Sequence, residues 1–79
     1  MKHFDGFEVV IADRRQTAKV YAARLVGKVR IVTGSKDLLG ITVERIHLCG
    51  QYWLLPHYRE LIVEARMRGH RGSSVPVIG

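Results

Sequence analysis

From Phe7 to Ala12 the chain reads FEVVIA, apolar at every position but Glu8 and rich in β-branched residues. An apolar run of that length reads as a strand covered on both faces, and such strands are central and parallel in α/β sheets. Asp13 follows, with Gln16 three residues on, a capping-box-like pair expected to open a helix. The helix is expected to run to about Val26. On a 3.6-residue wheel Thr17, Ala18, Tyr21, Ala22 and Leu25 gather on one side, while Arg15, Gln16 and Lys19 lie away from them. Gly27 suits the left-handed position just past a helix end.

Lys28 to Thr33 (KVRIVT) alternates Val29, Ile31 and Thr33 against Arg30 and Val32, a second strand whose edge position would explain Arg30. Gly34 breaks it, Ser35 is expected to cap a single helical turn through Leu39, and Gly40 ends that turn. In a third strand, Val43 to Cys49, Ile46 and Leu48 point to one face and Arg45, His47 and Cys49 to the other. Gln51 to Leu55 is an apolar connector, and Pro56 suits the first turn of a helix over His57 to about Met67. Tyr58, Leu61, Ile62 and Ala65 share one face of it. Glu60 and Glu64 form a like-charge pair offset by Arg59, Arg66 and Arg68.

After Gly69 the sequence HRGSSVPVIG has no period, so residues 1–68 are expected to form one α/β domain and 69–79 a flexible tail. Strand, helix, strand, turn, strand, helix implies a mainly parallel sheet with right-handed crossovers. The expected fold is α/β: three strands in the order 2-1-3, helices packed on them, and two open edges that invite pairing between subunits.

Composition changes this picture in one respect. Thirteen Lys and Arg against seven Asp and Glu give a formal charge of +6 on 9.0 kDa. Such a surplus attracts polyanions, nucleic acid first among them. A lone cysteine, Cys49, suits a reducing cytoplasmic setting and leaves oligomerisation as the support for so small a core. No apolar run approaches the roughly 20 residues of a membrane span, and MKHFDGFE lacks a signal-peptide layout, so a soluble, unprocessed protein is expected.

Ligands of open parallel sheets bind beyond the strand carboxyl ends. Here those ends are Asp13-Arg14-Arg15-Gln16, Thr33-Gly34-Ser35-Lys36 and Cys49-Gly50-Gln51-Tyr52. Arg14, Arg15, Ser35 and Lys36, with Lys19 farther along the helix, are the candidate contacts for a phosphate backbone, against the plainer reading that loops are polar. IADRRQTA contains no glycine, so it cannot wrap a triphosphate as a GxxxxGK[ST] loop does, and Gly34-Ser35-Lys36 has that loop's letters in the wrong order. Asp13, Ser35 and Cys49 lack a base, and His47 is expected to be a half-buried structural histidine; no catalytic set is assigned and no enzyme is expected. His3, His47, His57 and His70 are too scattered for a metal site, and no cofactor is implied. Tyr52 and Trp53 are open to three readings: packing of the last helix, stacking on bases, or a subunit interface.

Three stretches together resemble the middle of the first RecA-like domain of superfamily-two helicases. VVIADRRQTA is similar to the strand and P-T-R-E-L-A motif, with Arg15 and Ala18 on its Arg and Ala; IVTGSKDLLG is similar to V-x-T-P-x-R-L-L, with Thr33 and Lys36 on its Thr and basic positions; ERIHLCGQYW stands where a D-E-A-D strand would. The phosphate-binding loop is missing and Cys49-Gly50 replace the acidic pair. The resemblance therefore implies a RecA-like unit that keeps the nucleic-acid side without the ATP side. Compact chains of this kind also look similar to small phage-encoded α/β proteins. The expectation is a self-associating, non-enzymatic module binding nucleic-acid backbone with little sequence preference. The alternative is an interaction or inhibitor module, of phage or mobile-element type, or a small assembly subunit with an acidic protein partner.

Overall fold

A computed structural model describes residues 6–69 and 75–79 of the chain. The sheet is parallel throughout, and its centre is β1 (Phe7–Ile11), whose Val9, Val10 and Ile11 are fully buried. On one side lies β2 (Val29–Val32), in register from Glu8 opposite Val29 to Ile11 opposite Val32. On the other lies β3 (Val43–Leu48), with Val10 opposite His47 and Ile11 opposite Leu48.

The sheet has four strands, not three. β4 (Val77–Ile78) pairs in parallel with β3, Ile46 opposite Val77 and His47 opposite Ile78, giving the order β2-β1-β3-β4. The expected tail thus supplies a strand, while 70–74, with His70, and 1–5, with His3, lie outside the described residues. A two-residue strand preceded by Pro76 leaves no alternating pattern to read; its anchor is Val75, which is 5% exposed. The Pro76 carbonyl accepts the Ile46 N–H at 3.0 Å, so the missing proline donor costs the ladder nothing there.

Alternation along β1 sorts the core onto two faces. Val10 and Ala12 meet Ala18 of α1 (Arg15–Ala22), with Tyr21, Ala22, Leu25, Val29, Ile31 and Cys49 packed around them. Val9 and Ile11 meet Val32, Leu38, Ile41, Ile46 and, from α2 (Tyr58–Met67), Leu61 and Ala65. The wheels drawn from the sequence hold: Ala18, Leu61 and Ala65 are buried, and Arg15, Gln16, Lys19, Arg59 and Arg66 are exposed.

Four local expectations are corrected. Asp13 does not cap α1: the cap position is Arg14, in extended conformation and without a side-chain bond, and Asp13 Oδ1 instead accepts the Gln51 N–H at 3.1 Å. α1 stops at Ala22, where Arg24 and Leu25 N–H bond three residues back to the Tyr21 and Ala22 carbonyls, both at 3.0 Å; Gly27 (φ 98°) turns the loop that follows. Ser35 opens a 3₁₀ turn (Ser35–Leu38) rather than capping it, and Asp37 Oδ2 there accepts from the Thr33 N–H at 3.0 Å. Pro56 lies outside α2, which begins after His57 in the left-handed region (φ 58°), a conformation uncommon for a side-chain-bearing residue.

Candidate functional site

The carboxyl ends of β1 and β2 bring the expected backbone-binding residues to one rim. Arg14 and Arg15 enter α1, Lys19 stands one turn on, and Ser35 and Lys36 open the 3₁₀ turn after β2; all five are exposed. Arg15 lies 3.9 Å from Asp37, which ties the helix to the turn that carries Lys36. Arg14 lies 3.9 Å from Asp13. Both are long, solvated pairs that leave the guanidinium groups open to a stronger anion. Between Arg14 and Arg30 every charged residue is basic: Arg14, Arg15, Lys19, Arg24, Lys28 and Arg30. Arg30 sits over the Phe7 ring at 5.2 Å, which accounts for a cation on the edge strand.

At the carboxyl end of β3, Gly50 (φ 59°) turns the chain against Asp13: an added Cβ would stand 2.9 Å from Asp13 Oδ1 and 3.0 Å from Thr17 Cγ2. Cys49 is half-buried there. Burial raises its thiol pKa, and the Asp13 carboxylate adds to the rise. The thiol is held away from its nucleophilic form.

Of the three readings left open for Tyr52 and Trp53, packing of the last helix describes Tyr52. Both residues lie in a second 3₁₀ turn (Tyr52–Leu54). Tyr52 packs against the core and meets Tyr58 of α2 edge-to-face at 5.8 Å. Trp53 meets Tyr52 edge-on at 5.3 Å yet remains 52% exposed, beside Leu54 at 61%.

A polar network on the α1 face escaped the sequence reading. Glu8 and His47 are buried, and His47 Nε2 is 2.7 Å from Glu8 Oε1. His47 Nδ1 is 2.9 Å from the Tyr21 hydroxyl. Arg45 closes the set, donating to Glu8 Oε2 from Nη2 at 2.6 Å and from Nε at 3.1 Å. Burial acts to raise the Glu8 pKa, but the hydrogen bonds from Arg45 and His47, with their charges, outweigh it and hold the carboxyl below its ordinary value. Bonding to Glu8 raises the Arg45 pKa in turn. An ionised Glu8 can only accept, so Nε2 carries a proton; when the imidazole is neutral, Nδ1 accepts and the Tyr21 hydroxyl donates. Glu8, the one charge in an apolar run, was the available signal; its partners are 37 and 39 residues away, beyond any local pattern.

These observations define a small α/β protein with a four-stranded parallel sheet, a basic rim at the strand ends and a buried Glu8–His47 pair linked to the partly buried Tyr21. No family model, curated protein or solved structure matches the chain. Among the described residues no cluster of three or more metal-ligating side chains occurs, and no helix is long and apolar enough to cross a membrane.

Proposed function

We propose that the protein binds nucleic-acid backbone along the rim formed by Arg14, Arg15, Lys19, Ser35 and Lys36. The observation that carries the reading is the run from Arg14 to Arg30 in which every charged residue is basic, with the Arg15–Asp37 contact setting the Lys36 turn beside the helix. The resemblance of these two stretches to helicase motifs that touch phosphates supports it. Contacts from these side chains to phosphates carry no sequence information, so binding through them is electrostatic, indifferent to sequence and weakened by salt. With four cations engaged, log K falls against log salt with a slope of about −3.6 on duplex DNA. Fluorescence anisotropy of a labelled oligonucleotide, titrated at several salt concentrations, tests this. A slope near zero, or no binding at low salt, contradicts it and favours the alternative of an acidic protein partner.

A second reading, self-association, draws on the exposed Trp53–Leu54 pair and on β4, whose Val77 and Ile78 stand at the open sheet edge at 42% exposure each. Light-scattering mass across a concentration series checks it. A mass that rises in the native protein and stays monomeric in W53S supports an interface at Trp53; a constant monomer mass in both removes it.

A further inference from the structure

Tyr21 does more than fill the apolar face of α1. Its side chain walls a shallow groove of about 380 Å³, shared with Gln16, Thr17, Val20, Arg24 and Cys49. The groove is mostly apolar: Val20 is 63% exposed along it, and Arg24 is the cation in its lining. The Tyr21 hydroxyl lies 2.9 Å from His47 Nδ1 and donates to it when the imidazole is neutral; the imidazole Nε2–H faces Glu8, and Glu8 is fixed by the Arg45 fork. This is the arrangement of an activated nucleophile: a hydroxyl, a base within hydrogen-bond reach, and a third group that fixes the base's tautomer and stabilises its protonated form.

We propose that Tyr21 is a reactive hydroxyl that accepts a phosphoryl group from an activated phosphoryl compound bearing an apolar substituent. Tyr21 Oη attacks phosphorus as its proton passes to His47 Nδ1. The Oη–P bond forms, the bond from phosphorus to the leaving group breaks, and the leaving group departs with the electron pair. The proton stays on His47 as the imidazolium, held against the Glu8 carboxylate. Arg24 suits the phosphoryl oxygens and Val20 the apolar substituent. Cys49, in the same groove, is held toward its protonated form by burial and by the Asp13 carboxylate. His47 is the general base of the step, and Glu8 is a positioning residue that acts through it.

The probe is an alkyl fluorophosphonate, whose leaving group is fluoride, with labelled tyrosines mapped by peptide mass spectrometry. Tyr52 and Tyr58 serve as references within the same molecule. Tyr21 is expected to react about 100-fold faster than either, the lower range for a positioned general base. H47Q, which keeps a hydrogen-bond acceptor but no base, should bring Tyr21 down to the reference rate. A merely structural network would show neither the faster labelling of Tyr21 nor its loss in H47Q. Equal labelling of the three tyrosines in the native protein overturns the proposal without recourse to any variant, and a Tyr21 rate undiminished in a folded H47Q overturns the role of His47.

Discussion

His47 Nε2 and Glu8 Oε1 lie 2.7 Å apart across adjacent strands, in a side-chain pair only 6% and 7% exposed. Glu8 is also bound by Arg45, so one carboxylate compensates two donors on the covered face of the sheet. Removing it leaves a buried imidazole and a guanidinium without their acceptor. E8A is expected to destabilise the fold by about 3 kcal/mol, the order found when one member of a buried pair is lost. Urea denaturation at neutral pH, compared by midpoint and slope, reads it.

The same carboxylate gives a pH signature. A carboxyl whose folded-state pKa is depressed contributes stability that is fully present above its unfolded value, about 4.3, and is lost as pH falls through the lower folded-state value. The urea midpoint should therefore hold steady on the neutral side and drop below about pH 4. In E8Q that acid-side drop should shrink. An E8Q acid limb as steep as that of the native protein would remove Glu8 from the account.

Gly50 joins the strand-end loops by a left-handed backbone that side-chain-bearing residues adopt only rarely. At φ 59° an alanine is strained, and its Cβ would press on Asp13 Oδ1, the atom that accepts from Gln51. G50A is expected to cost about 1–2 kcal/mol. D13A, which removes the Asp13 contact and the Gln51 bond but leaves Thr17, should make the G50A penalty smaller than in the native background; a double-mutant cycle measures that coupling.

Val75 pins β4 to the β3 edge. V75A, at a position 5% exposed, is expected to cost about 1–2 kcal/mol through lost burial alone. A chain ending at residue 74 loses Val75 and the β4 ladder together, so it should be less stable than V75A. Hydrogen exchange at the Ile46 amide, which donates to Pro76, should accelerate most.

Much of the architecture was legible because it is written in short-range periodicity. The FEVVIA run places β1 at the centre, and the Ala18 and Leu61–Ala65 stripes set which helix faces are buried. The fourth strand was not legible, since Val77–Ile78 owes its conformation to pairing with Ile46 and His47 rather than to its own composition. Helix ends failed for a related reason: Asp13 has a cap's chemistry, but its oxygen is taken by Gln51, 38 residues on. The basic rim was visible as residue types at strand ends. The Glu8–His47–Tyr21 network was not, because it joins β1, β3 and α1 through long-range pairing.

The most direct measurement of the central proposal is oligonucleotide binding by R15E/K36E, a double reversal at two exposed residues whose loops meet through Asp37. With circular dichroism and urea midpoint close to those of the native protein, the double variant should show no saturable binding at low salt where the native protein binds. Retained binding of native affinity and salt slope would contradict the rim as the nucleic-acid interface.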